Sequence, residues 1–417
     1  MWSWLALWLW YRFPVSLSTL PAFVLPTADA VLAQAGFDPI AGRAVEQHLA
    51  TLQKYGYPRS EQGVWIQSQG GELLASHQGD KPLPTASLTK IATTLAVLST
   101  WHSDSQFVTQ IATNGRLVGD TLQGDLIVVG GGDPLFVWED AIGIGNKLQA
   151  LGISRVTGDL VVTPGFYMNF STDRLESAQF LRQGFDSGQW QGEVVTQYQT
   201  LPAGTPRPRI VIQGEIKLVP QARGRVLLKH RSLPLWHILK QMNTYSNNMI
   251  ADVLMANLGG VQQVTDKLVR ITGIPRQEIR LVSGSGLGQA NQISPRGVVA
   301  LLLATQQHAR AQGRSLADLF PMGDCRCGTL QDRPFPGSAI LKTGTLSDVS
   351  SLAGVIQTRQ RGTVWFALIN RGEGDIAVFH RAQEAVLRNL YAQWGEFTLW
   401  KPRLAVGESD RDEIMAP

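Results

Sequence analysis

Between Asp38 and Tyr55 the apolar positions fall at helical spacing, with Lys54 near the carbonyl end, so the pattern predicts a first helix there. The period then changes. Residues 63–78 (GVWIQSQGGELLASHQ) read as two strands around a Ser68-Gln69-Gly70-Gly71 turn. The loop GDKPLPTA leads into a run that holds Ile91, Ala92, Leu95, Ala96, Val97 and Leu98 with no charge after Lys90, which predicts a helix buried on all sides.

From about Asp104 to His230 short apolar stretches punctuated by glycine and proline take over. QFVTQIAT, GDLIVVGG, RVTGDLVVT and PRIVIQGEIKLVP are strand candidates, with one helical stretch near Glu139 to Leu151. VVGGGDP (Val128 to Pro134) has a glycine run after a strand, but it carries neither G-x-G-x-x-G nor G-K-[ST], and it reads as a turn. Helices return at about Ser232, break near Tyr245-Ser246-Asn247-Asn248, resume, and end at Gly273. A strand, the glycine-rich loop around GSGLG and a helix starting near Pro295 follow. Ala339 to Leu346 suits a strand, SLAGVIQ and TVWFALI pair around a turn at Thr358 to Gly362, and an amphipathic helix from His380 closes the chain.

These periods predict an α+β protein: an antiparallel sheet flanked by helices, formed by residues 36–106 and 231–399, with a β-rich domain of residues 107–230 inserted between them. The tail 400–417 has no core-forming pattern and is expected to be mobile.

Composition narrows the function. With 44% hydrophobic and 17% charged residues in 417, the chain can bury a large core. Its net charge of +4 comes from scattered arginines, with no basic patch interleaved with aromatics, so nucleic acid is not an expected partner. Residues 1–35 are nearly uncharged, hold Trp2, Trp4, Trp8 and Trp10, and end on Ala33-Gln34-Ala35; they read as an export signal or an uncleaved anchor. The remainder is then expected outside the cytoplasm. Cys325 and Cys327 stand two apart; free thiols are the expectation, because a bridge across C-x-C closes a small strained ring. No metal site or cofactor is expected.

The candidate chemistry lies in three short motifs. Ser87 and Lys90 share one helix face at i and i+3, so the amine can reach the hydroxyl, and burial favours the neutral lysine that accepts a proton. Alone this spacing arises by chance about as often as not in such a chain. Ser246-Asn247-Asn248 lies in the break between two helices, and Lys342-Thr343-Gly344 lies on a strand that begins an antiparallel set. Taken singly these read as a helix cap and a solvated edge strand. In this order and in these contexts the three match the S-x-x-K, S-x-N and K-T-G elements of penicillin-interactive enzymes.

The surrounding sequence resembles a narrower family, the class C low-molecular-mass penicillin-binding proteins, which are serine-type D-alanyl-D-alanine carboxypeptidases and endopeptidases. PTASLTKIATTLAVL, GDLIVVGGGDPLF, VTGDLVV, SLPLWHILKQMNTYSNNMIADVL, GSGLGQANQISPRGVVALL and LKTGTLSDVSSLAGVI carry the likeness from about Asp38 to Trp394. It implies a β-lactamase/transpeptidase-like domain, with the insertion accounting for the long gap between Ser87 and Ser246. It further implies Ser87 as nucleophile, Lys90 as base, Ser246 and Asn248 as relay and ligand, and Lys342 as an auxiliary amine. Thr343, Gly344 and Thr345 would bind substrate. Peptidoglycan stem peptides and β-lactams are the implied partners, in the periplasm or another extracytoplasmic space, with membrane contact only through an uncleaved N-terminal segment. The chain departs from the family where Ser283-Gly284-Ser285-Gly286-Leu287-Gly288 replaces Asp-Gly-Ser-Gly-Leu-Ser, and where the stretch from Gln191 to Gly224 lacks most of a second inserted domain. A β-lactamase, a scaffold that keeps the fold without turnover, and another acyl-serine hydrolase are the competing readings.

Overall fold

The computed structural model describes residues 38–397 and 411–415. The expected export segment, residues 1–35, lies outside the described residues. Asp38 caps the first helix, Pro39–Lys54, accepting from the amides of Ile40 and Ala41. The chain then enters a five-stranded antiparallel sheet with the strand order 340–345, 349–358, 362–371, 62–68, 73–77.

Two-residue alternation gives this sheet two apolar faces. Val64, Ile66, Leu352, Phe366 and Leu368 meet the helices Pro39–Lys54 and Ile376–Trp394 on one side. Trp65, Ala353, Val355, Ala367 and Ile369 meet the helices Thr89–Leu98, Leu235–Tyr245, Asn248–Asn257, Val261–Thr272 and Pro295–Ala311 on the other. The strand Val349–Thr358 is therefore buried along its whole length. The Thr89–Leu98 helix is likewise buried at every position, as its uncharged run predicts.

Residues between Ile111 and Leu228 build a separate hydrophobic core. A six-stranded and a four-stranded sheet enclose it, together with the helices Trp138–Ala150, Arg174–Phe185 and Glu193–Tyr198. The last two helices were not legible in the hydrophobic pattern. Gly132 of the GGGDP turn joins this unit to the sheet-and-helix domain: its carbonyl accepts from Asn257 at 3.1 Å, at the end of the helix that begins with Asn248.

Two expectations are corrected. Cys325 and Cys327 form a disulfide, so they are not free thiols; the loop between them brings the two Cα atoms to 5.1 Å, within bridging reach. The tail is not mobile throughout, because Asp412–Ile414 pairs antiparallel with the Arg225–Arg231 strand at one edge of the six-stranded sheet. Charge holds it there: His230 Nδ1 lies 2.5 Å from Asp412 Oδ1, Lys147 Nζ lies 3.1 Å from Asp412 Oδ2, and Arg411 pairs with Asp140.

Candidate active site

Ser87 sits on a single 3-10 turn, Ala86–Leu88, that feeds directly into the Thr89–Leu98 helix. Ala86 adopts φ +47°, an uncommon conformation for a residue with a Cβ, and such positions concentrate where the surrounding structure fixes a reactive group. One turn on, the Lys90 side chain is fully buried. Its Nζ donates to Ser87 Oγ at 3.0 Å, Asn248 Oδ1 at 2.8 Å and the Ser285 carbonyl at 2.8 Å. Three acceptors thus take the three ammonium protons, and loss of one proton frees a lone pair toward Ser87.

The Ser246-Asn247-Asn248 break divides its labour. Asn247 does the capping, accepting from the Ile250 amide at 3.0 Å. Ser246, in the left-handed region at φ +55°, and Asn248 are left for the site. Ser246 Oγ accepts from Lys342 Nζ at 2.9 Å, and Lys342 also donates to the Thr343 carbonyl at 2.8 Å.

Lys342, Thr343 and Gly344 lie on Ile340–Thr345, the edge strand of the five-stranded sheet. Thr343 Oγ1 donates to Thr329 Oγ1 at 2.7 Å, and Thr345 opens to solvent. Gly344 packs on the Ser87 turn: a Cβ there would stand 2.8 Å from the Ser87 amide nitrogen and 2.8 Å from the Thr85 carbonyl oxygen. Hydrogen bonds and close packing therefore join Ser87, Lys90, Ser246, Asn248, Lys342 and Gly344 where the sheet edge meets the helices, with Thr343 and Thr345 on the same strand.

Electrostatics favour a proton acceptor. Burial lowers the Lys90 amine to about 7, although the Asp252 carboxylate pulls it the other way. Burial, and then the Lys90 charge, hold Lys342 well below the usual lysine range. Desolvation thus acts first on both amines, and their repulsion falls on Lys342.

Sequence reasoning missed several members. Ser285 enters through its backbone carbonyl, which no side-chain motif announces. Asp252 holds that loop, accepting from the Gly284 and Ser285 amides at 2.9 Å each; its place four residues after Asn248, on the same helix face, was the available signal. Ser351 ties the strand to the Ser87 turn through a 2.8 Å bond to the Thr85 carbonyl. Tyr245 and Leu287, 60% and 66% exposed, are apolar side chains beside Ser246 and the Ser285 loop.

The sequence matches the D-Ala-D-Ala carboxypeptidase 3 (S13) family over residues 44–172 and 207–391. The chain belongs to that family. It is a serine peptidase acting on peptidoglycan, as the likeness in the sequence implied. Among relatives, it is 25% identical over 401 residues to a carboxypeptidase of Mycobacterium tuberculosis, covering 85% of this chain and 84% of the other. It is 23% identical over 426 residues to the D-alanyl-D-alanine carboxypeptidase DacB of Haemophilus influenzae, covering 77% and 88%. The S13 fold is shared with a penicillin G-acylated predatory endopeptidase of Bdellovibrio bacteriovorus, at TM-score 0.71 and 21% identity over 82% of this chain and 95% of that one. It is shared also with penicillin-binding protein 4 of Haemophilus influenzae, at TM-score 0.62 and 20% identity over 84% and 99%.

Proposed function

We propose that the S13 chain cleaves the terminal D-Ala-D-Ala bond of stem peptides through an ester on Ser87. The observation that carries this is the Lys90 amine, buried, lowered to about 7 and 3.0 Å from Ser87 Oγ. Ser87 Oγ attacks the carbonyl carbon while its proton passes to Lys90. Negative charge develops on the carbonyl oxygen, which the backbone N–H groups of Ser87 and Thr345 receive; one such donor is typically worth about 3 kcal/mol. Lys90 returns that proton by way of Ser246, backed by Lys342, to the departing D-alanine amine, and the C–N bond breaks. Water then hydrolyses the ester and restores Ser87.

Asn248 orients Lys90 and the substrate amide, while Lys342 and Thr343 hold the terminal carboxylate. Gly344 lets a peptide lie along the sheet edge. Tyr245 and Leu287 supply apolar lips to the cleft. β-Lactams, which present a strained amide and a carboxylate to the same groups, acylate Ser87. The enzyme works in the periplasm or an equivalent extracytoplasmic space, reached through the N-terminal segment.

A fluorescent penicillin tests the reading. The chain from Gly36 onward should take one stable label and release D-alanine from a stem pentapeptide, and Ser87→Ala should abolish both. Label retained by Ser87→Ala overturns the assignment; label without peptide cleavage favours a binding protein, and rapid loss of label favours a β-lactamase.

A further inference from the structure

The second core contains a three-tier stack. Residues 121–129, 155–162 and 211–218 each run strand, corner, strand, and successive tiers pair in parallel through both of their strands. At every corner stands a glycine followed by an acid: Gly124-Asp125, Gly158-Asp159 and Gly214-Glu215. The glycines are required, since a Cβ at Gly158 or Gly214 would meet the backbone of the preceding corner at 2.5 Å or less.

The acids form a ladder. Asn114 Oδ1 accepts from the Asp125 amide at 2.8 Å, Asp125 Oδ1 from the Asp159 amide at 2.8 Å, and Asp159 Oδ1 from the Glu215 amide at 2.8 Å. Asp125 and Asp159 each bind the next tier. Glu215 is the last acid, exposed at the open end of the stack.

Beside it the Ile216–Leu218 strand ends the six-stranded sheet. Its parallel register with Leu160–Val162, together with the bonds from Leu160 N to Glu215 O and from Val219 N to Val162 O, turns the N–H and C=O of Ile216 and Leu218 to the outer side. The opposite edge of this sheet is already occupied by Asp412–Ile414. Edge strands are commonly guarded by lysine, but Lys217 folds back onto Asp159, and Leu218 is 40% exposed. One flank of the Arg174–Phe185 helix (Leu175, Gln179, Arg182) and Trp190 face Glu215 and Ile216 across a groove of about 750 Å³. That helix and the loop after it fall in residues 173–206, between the two segments matched by the S13 family.

We propose that this groove binds an extended polypeptide segment of another protein as a fourth parallel tier. The segment adds its backbone to Ile216 and Leu218 and gives one corner amide to the Glu215 carboxylate. A strand between a free edge and a helix is an established mode of peptide capture. A second copy of this chain fits less well, because a two-fold axis would set the two edges antiparallel and offer no corner amide to Glu215.

The probe is a fluorescent peptide copying Arg155 to Thr163 (RVTGDLVVT), titrated against the whole protein by anisotropy. Saturable binding is expected, with affinity falling at least tenfold in Glu215→Ala while D-alanine release is unchanged. N-methylating alternate probe residues separates edge pairing from nonspecific adhesion without altering the protein: one set should abolish binding and the other should spare it. Hydrogen exchange at Ile216 and Leu218 should slow in the complex. No saturation up to millimolar probe, equal loss with either methylated set, or full affinity in Glu215→Ala overturns the proposal. So does concentration-dependent dimerisation of the protein that Glu215→Ala abolishes, which would make the occupant a second copy.

Discussion

Gly344→Ala tests how tightly the sheet edge and the Ser87 turn are registered. The added Cβ would stand 2.4 Å from Ser351 Oγ, 2.8 Å from the Ser87 amide nitrogen and 2.8 Å from the Thr85 carbonyl oxygen. Ser351 can rotate, at the cost of its bond to Thr85. The two backbone atoms cannot. Ordinary contact requires the strand to retreat by roughly half an ångström, and overpacking of this kind typically costs ~1–3 kcal/mol of stability. The retreat carries Thr345 away from Ser87, so the two amides proposed for the oxyanion no longer converge. Displacements near 1 Å cost about a hundredfold in rate, so a loss of roughly ten- to hundredfold in the acylation rate constant is expected. Stopped-flow acylation by a fluorescent penicillin gives that constant, and thermal unfolding gives the stability. Acylation within about twofold of the parent, in a protein whose melting point has fallen, would refute the reasoning, since the strain would then be absorbed without moving the donors.

Acylation should rise with pH through about 7 as Lys90 loses its proton, and Asp252→Asn should move that rise to lower pH, because the carboxylate holds the amine up; a pH series of acylation rates reads both. Thr329→Val should raise KM for carboxylate-terminated peptides about five- to tenfold with less effect on kcat, since it removes the hydroxyl 2.7 Å from Thr343, and Thr329→Ser should restore it. Asp412→Ala should detach the C-terminal strand and cost ~3–5 kcal/mol by removing one partner of a buried pair, leaving D-alanine release intact. Burial pulls His230 down, but Asp412 and Asp140 outweigh it and leave the imidazole raised. That contribution is complete at pH values below the unfolded histidine's and fades as pH rises through the raised value, so the stability gap between parent and variant should narrow on going alkaline.

The candidate side chains were legible because each needs a particular residue type at fixed local spacing. Ser87 and Lys90 share a helix face, Ser246 and Asn248 flank a cap, and Lys342 to Gly344 sit on an edge strand. What escaped was carried by backbone or by distant pairing. The Ser285 carbonyl has no motif, and Thr329 meets Thr343 only after a disulfide-closed turn folds back. Asp412–Ile414 lacks apolar alternation because ion pairs, not a buried face, hold it. The Arg174–Phe185 helix escaped although Asp173 caps it, because its apolar contribution is thin. The Gly-acid corners recur in the sequence, but only the parallel stacking shows that Asp125 and Asp159 serve the next tier.

The central claim, that Ser87 is acylated with Lys90 as its base, is tested most directly by intact and peptide mass spectrometry after brief exposure to penicillin G, across pH. A single adduct is expected, on the peptide carrying Ser87, whose rate of formation follows one ionisation at about 7 and vanishes in Lys90→Ala. An adduct on any other residue, or an unchanged rate in Lys90→Ala, would contradict it.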